Sequence, residues 1–202
     1  MIVTIGRKYG SGGRMTGEKL AKLLNYRFYD RELLKIAARD IGMHEDVVQN
    51  FDEKPAGSLL YSTYLHATLA TTDALPLNQK LAFAQFDVIR RVAQDGDCVI
   101  IGRCADYVLQ GRRDCFNVFV TASDEVRSQR LVQYYGVPED LVEKVIKKQD
   151  KQRAEYYNFF THRKWGSGST YDLCLDAGRF TLDGAAELLA NAVRQLEQAA
   201  KT

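Results

Sequence analysis

The chain has 202 residues, 46% hydrophobic and 27% charged, the ordinary range for a globular protein and long enough for a single domain with insertions. Its 28 basic and 26 acidic residues leave a formal charge of +2, too balanced for nucleic acid or a membrane to be the main partner, so any cationic site must be local. No charged segment followed by an apolar core opens the chain, and no apolar run approaches the ~18 residues of a spanning helix, so a cytoplasmic protein is expected.

In chain order, Ile2-Val3-Thr4-Ile5 reads as a strand, followed by the glycine-rich stretch Gly10 to Gly17 and then a helical pattern. Met15, Leu20, Leu23 and Leu24 are expected on its inner face, with Asn25 as the stop. Tyr26 to Tyr29 suits a short second strand, with Asp30 as N-cap of a helix over Arg31–Arg39. Residues 44 to 54 suit another short helix, and 59 to 75 a weakly periodic, mobile segment. A long helix is expected from Pro76 to Gln94, stopped by Gly96. The apolar faces between residues 59 and 93 fit either pairing with a second subunit, as a homodimer, or a core-facing helix.

Asp97 to Gly102 is a continuous apolar run closed by glycine, as expected of a strand buried on both faces of a parallel sheet. Phe116 to Val120 is another, followed by Ser123 as the cap of a helix running to about Tyr135. Gly136-Val137-Pro138 introduces a long charged helix through Lys148, Lys151 and Arg153. The aromatic group Tyr156, Tyr157, Phe159, Phe160 and Trp165 is placed to seat it, and Gly166 to Ser169 to form a flexible return. Tyr171 to Leu175 is the last strand, and residues 183 to 200 form a closing amphipathic helix with Leu188, Leu189, Val193 and Leu196. Strands alternating with helices indicate an α/β fold with a doubly wound parallel sheet.

Four cysteines, Cys98, Cys104, Cys115 and Cys174, lack C-x-x-C spacing and histidine partners, so they are read as reduced rather than zinc-binding. Cys98, Cys115 and Cys174 lie in or beside apolar runs, where a free thiol behaves as a small hydrophobe.

The glycine stretch has the setting of a phosphate cradle: strand, tight loop, then a helix N-terminus whose unpaired amides and dipole attract an anion. It departs from G-x-x-x-x-G-K-[ST]. One alignment sets Gly13-Arg14 in place of Gly-Lys, so that Lys8 replaces the first glycine, Met15 the hydroxyl position, and Thr16 reaches towards magnesium one residue late. The other keeps the spacing ungapped and leaves Gly13 where the lysine would stand. The first is preferred; a loop used only for packing is the plainer alternative. In it Gly10, Ser11, Gly12, Gly13, Arg14, Met15 and Thr16 form the nucleotide-phosphate site, with Thr16 the metal ligand.

Ligands of open parallel sheets gather beyond the strands' carboxyl ends. There the sequence places Asp30 and Arg31, then Gly102-Arg103-Cys104-Ala105-Asp106, then Thr121 to Asp124, and Asp176. A cradle facing an arginine and carboxylates suits two phosphorylated groups, with Arg103 clamping the acceptor. Lys151 and Arg153 are read as cations lowered over the transferring group, or more plainly as part of a solvated face.

The segments G-S-G-G-R, F-Y-D-R-E-L-L, C-V-I-I-G-R-C-A-D-Y, D-K-Q-R-A-E-Y-Y and Y-D-L-C-L-D-A-G resemble the cytidylate kinase-like family over residues 1 to about 195. The resemblance implies a three-layer α/β sandwich on a parallel five-stranded sheet of the P-loop nucleoside monophosphate kinase type. It implies an acceptor-binding insertion at about 30–95 and a lid at about 138–168 within one domain. It further implies ATP and Mg²⁺ as co-substrates and a small nucleotide acceptor. By it, Arg103 matches the acceptor-gripping arginine, Asp30 opens the acceptor region beside Arg31, and Lys151 and Arg153 fall in the lid. The loop and lid depart from cytidylate kinases, so base preference is not carried over. Two alternatives remain: a nucleotide-binding sensor without turnover, and a kinase of a non-nucleotide metabolite.

Overall fold

A computed structural model describes residues 1–43 and 76–200. The expected helix at 44–54 and the segment 59–75 lie outside the described residues. Five strands, β1 (Ile2–Arg7), β2 (Arg27–Tyr29), β3 (Cys98–Ile101), β4 (Cys115–Thr121) and β5 (Leu173–Asp176), form one sheet in the order β2-β3-β1-β4-β5, every pairing parallel. In register, Ile5 lies beside Ile101 on one side and Val118 on the other, so β1 is the central strand.

Alternation along the strands divides the core in two. Ile2, Cys98 and Ile100 face one side, where α2 (Glu32–Asp40) and α3 (Leu77–Gln94) bury Leu33, Ala37, Leu81, Val88 and Ile89. Val3, Ile5, Val99 and Ile101 face the other, against α1 (Gly13–Leu24) and the final helix, α7 (Leu182–Ala199). This is why the continuous apolar runs of β1 and β3 read as strands buried on both faces. The result is the expected three-layer α/β arrangement. On α3, Leu81, Phe86, Val88 and Ile89 are buried within this chain, with Phe86 edge-on to Phe160, while Phe83 stays exposed.

Between β3 and β5 come the short α4 (Ala105–Val108), α5 (Asp124–Tyr135) and α6 (Glu139–Thr161). The Ser123 hydroxyl accepts from the Val126 amide, and Asp124 and Glu125 complement the positive end of α5. Gly136, at φ 63°, turns the chain into α6. The charged helix runs to Thr161, further than its charged residues alone indicate, because Tyr156 and Tyr157 continue its buried stripe into the core.

Four expectations are corrected. Asp30 does not cap α2: Arg31 holds the N-cap position with no side-chain cap, and the Asp30 carboxylate accepts from Arg14 instead. Leu23 is 47% exposed, because α1 packs through Thr16, Gly17, Leu20 and Ala21. Leu196 is exposed one turn beyond the buried stripe of α7. Cys174 is exposed on edge strand β5, so it is no core hydrophobe, whereas Cys98 is buried with its thiol pushed up to about 11.

Candidate functional site

Because all five strands run the same way, the segments leaving them meet at one edge, and β1, at the switch point of strand order, delivers the glycine loop to its centre. The Gly12 N-cap of α1, at φ 85°, carries no side-chain cap; the Gly13 amide donates to the Ser11 hydroxyl, and those of Arg14 and Met15 remain open to an anion. At Gly13 an added Cβ would lie 2.7 Å from the Arg7 Cβ and 3.1 Å from the Val120 Cβ. The position that the ungapped alignment equates with a lysine therefore has no room for any side chain.

In front of the loop opens a cleft of about 670 Å³. Arg7, Lys8, Tyr9, Gly10, Gly12 and Gly13 form its floor; Arg14, Phe28, Asp30, Arg31 and Glu32 one wall; Tyr135, Gln149 and Arg153 the other. Five cations thus face two carboxylates, and one of those is engaged: Arg14 Nε donates to Asp30 at 2.8 Å, while Arg14 Nη1 reaches Glu18 and the guanidinium lies over Phe28. The hydrogen bond to Asp30 raises the Arg14 pKa. Half-exposed at the rim, Arg14 is tied to Asp30 within its own wall of the cleft.

Behind the cleft lies a smaller pocket of about 20 Å³, room for about one water. Arg7 and Arg153 line both. Its other walls include Arg103, Asp106, Tyr156, Tyr157, Trp165 and Tyr171. Arg103 is only 2% exposed. Gly102, Arg103 and Cys104 have φ of 69°, 61° and 55°, a left-handed run of which two members are not glycine. Such backbone costs roughly 1–2 kcal/mol per non-glycine residue and persists where the surroundings hold it, often at functional sites. Tyr157 donates its hydroxyl to Asp106 at 2.6 Å. Desolvation pushes the Asp106 carboxyl up, with the Tyr157 bond and Arg163 opposing, and burial likewise raises the Tyr157 and Tyr171 phenols.

The structure thus brings Gly10, Gly12, Gly13, Arg14, Asp30, Arg31 and Arg153 to one cleft, and Arg103, Asp106 and Arg153 to the pocket behind it. It does not bring Ser11, Met15, Thr16 or Lys151 into either lining. Ser11 is buried beneath the loop, its hydroxyl accepting from the Gly13 amide. Thr16 is fully buried in the second turn of α1, and its hydroxyl has no hydrogen-bond partner among the described residues. A magnesium ion held by Thr16 does not fit that placement; one carried by a nucleotide's phosphates needs only one or two protein carboxylates, and Asp30 and Glu32 line the wall. Lys151 is 75% exposed and pairs with Glu155, while Gln149 and Arg153, four residues apart on α6, face the cleft.

Sequence reasoning overlooked Arg7, Tyr9, Tyr135 and Gln149, and assigned Lys8 no role. Arg7-Lys8 at the mouth of the glycine loop was an available signal. Arg153 also donates to the Arg7 carbonyl and stacks over Tyr9. Asp150 accepts from the Tyr9 amide at 2.7 Å and from Arg127, so α6 is docked on the start of the loop.

The model of the cytidylate kinase-like family matches residues 2–179. A cytidylate kinase of Methanocaldococcus jannaschii is 20% identical over 206 residues, covering 98% of this chain and all of that protein. One of Methanopyrus kandleri is 26% identical over 115 residues, 53% of this chain and 60% of that protein's length. Among solved structures, an uncharacterized protein from Eubacterium ventriosum matches with TM-score 0.73 at 28% identity, covering 96% of this chain and 98% of that one. The shikimate kinase of Bacteroides thetaiotaomicron, at TM-score 0.54 and 15% identity over 96% of this chain and 98% of that one, shares the fold.

Proposed function

Since the chain belongs to the cytidylate kinase-like family, we propose that it transfers a phosphoryl group from MgATP to a small phosphorylated acceptor, a nucleoside monophosphate being the leading class. The observation that carries this reading is the convergence of open loop amides with Arg7, Lys8, Arg31 and Arg153 on one cleft, with buried Arg103 directly behind. Such a transfer needs positioning and charge stabilisation more than covalent chemistry. The acceptor's phosphate oxygen is largely anionic near neutral pH, its second pKa being about 6, so no dedicated base is required.

In this reading the glycine-loop amides hold the donor phosphates, and magnesium arrives with the nucleotide. Arg153, shared by both pockets, lies against the group in transit, where its fork offsets charge on the equatorial oxygens. Arg103 receives the acceptor phosphate. Asp30, held by Arg14, and Arg31 line the side from which the acceptor enters. Lys151 takes no part.

Purified protein with MgATP, presented with the common nucleoside monophosphates and a panel of hydroxylated metabolites, is followed by ³¹P spectroscopy. The expected result is conversion of one monophosphate to its diphosphate. Transfer to an unphosphorylated metabolite instead would reassign the acceptor. One observation favours a second reading, a nucleotide-binding protein without turnover: Arg14, which takes the lysine's place in the preferred alignment and is followed by Met15, is tied to Asp30. ATP binding with no transfer across the panel would select it.

A further inference from the structure

Arg127 and Arg130 stand three residues apart on α5, facing the back of the glycine loop. Arg127 Nε donates to the Tyr9 carbonyl at 2.7 Å. Arg130 Nη1 donates to the Ser11 carbonyl at 2.6 Å, and its other arm holds the Ala177 carbonyl at 2.8 Å. The peptide unit is planar and trans, so a carbonyl fixed towards α5 turns the N–H of the following residue the opposite way. Those two N–H groups belong to Gly10 and Gly12, which both line the cleft and donate no hydrogen bond among the described residues.

Glycines at φ 75° and 85° have access to other conformations, so nothing intrinsic to the loop fixes these peptides. The arginines do. Arg127 is 2% exposed and its charge is met by Asp124 and Asp150. Asp150 also accepts the Tyr9 amide, so both peptides flanking Tyr9 are held. Arg130 forms no ion pair among the described residues, and a Cβ on Gly12 would sit 3.0 Å from its Nη1. Its charge therefore lies directly behind the loop, on a helix whose place in the chain gives no hint of that role.

We propose that Arg127 and Arg130 are positioning residues that aim the Gly10 and Gly12 amides at the donor's phosphates, with Arg130 adding a cationic charge directly behind the loop. The inference rests on the donor-site reading above and extends it to residues that touch no substrate.

The test titrates wild-type protein, Arg130→Gln and Arg130→Lys with magnesium and inorganic tripolyphosphate, following affinity and the ¹H–¹⁵N signals of Gly10 and Gly12. Wild type is expected to bind with both amide signals displaced. Arg130→Gln should weaken binding by about tenfold, the worth of one well-placed charged hydrogen bond, and lose the Gly12 displacement. Arg130→Lys keeps the charge but not the two-armed hold, so it should not restore that displacement. Binding by Arg130→Gln within about twofold of wild type overturns this proposal alone, as does full recovery in Arg130→Lys, which would show that charge and not aim matters. No binding by wild type overturns the donor-site reading, and the proposal with it.

Discussion

The two pockets that share Arg7 and Arg153 are built in opposite ways. The front cleft is open, about 670 Å³, and lined by glycine backbone and cations that already face solvent. The rear pocket holds about 20 Å³ and encloses a buried arginine among Tyr156, Tyr157, Tyr171 and Trp165. On the proposed reading the first is a formed site for a polyanion, and the second must widen before Arg103 meets a phosphate. On the phosphotransfer reading the donor side is preformed, and binding of the acceptor opens the second chamber.

Breaking the shared wall should have the largest effect. Arg153→Gln is expected to lower kcat/KM by about 10²–10³, as for other preorganised transition-state donors, while stability falls only by the loss of one hydrogen bond and one ring contact, about 1–2 kcal/mol. A loss below about tenfold would remove Arg153 from the transfer step.

Next comes the front cleft alone. Gly13→Ala places a Cβ 2.7 Å from the Arg7 Cβ and must push the loop outward. Displacement of that size is expected to cost about a hundredfold in kcat/KM, and overpacking about 1–3 kcal/mol of stability, read by steady-state kinetics and denaturant unfolding. Ordinary activity in the variant would mean that the loop's position is not critical.

The rear pocket is addressed by Arg103→Ala, which should raise the acceptor KM by about tenfold or more while leaving the ATP KM alone. Equal effects on both constants would contradict the division of labour. Asp106 sharpens the same distinction through pH. Its folded pKa is raised above the ordinary 3.8 by burial, so the stability linked to its protonation is complete below 3.8 and is lost as pH rises through the folded value. Asp106→Asn lacks that loss, so its midpoint relative to wild type should climb with pH from 3.8 upward and then level off. A pH-independent difference would contradict the burial assigned to this carboxyl. The smallest effect is expected from Lys151→Ala, whose kcat/KM should stay within about twofold of wild type.

The sheet was legible because β1, β3 and β4 are apolar runs of the right length, and the caps at Ser123 and Asn25 are short-range chemistry. The glycine loop was legible for the same reason. Tertiary pairing was not: Asp30 has an N-cap's composition, yet Arg14 draws its carboxylate away. On α6, the buried stripe through Val142, Ile146 and Tyr157 sets the phase that selects Gln149 and Arg153 over Lys151, and that stripe was readable from the spacing. Arg127 and Arg130 were hidden because their partners, Tyr9 and Ser11, lie more than a hundred residues away in sequence. The burial of Arg103 was hidden too, since the pocket around it is lined by aromatics from α6 and from the segment that follows, Tyr156, Tyr157, Trp165 and Tyr171.

The most direct measurement is the affinity of a dinucleoside pentaphosphate, which joins donor and acceptor in one molecule, compared with ATP, while following the emission of Trp165, the chain's single tryptophan and a wall of the rear pocket. Two chambers meeting at Arg153 predict binding at least about tenfold tighter than ATP and a change in Trp165 emission that ATP alone does not produce. Affinity equal to that of ATP, with Trp165 unmoved, would contradict a phosphotransfer site that spans both pockets.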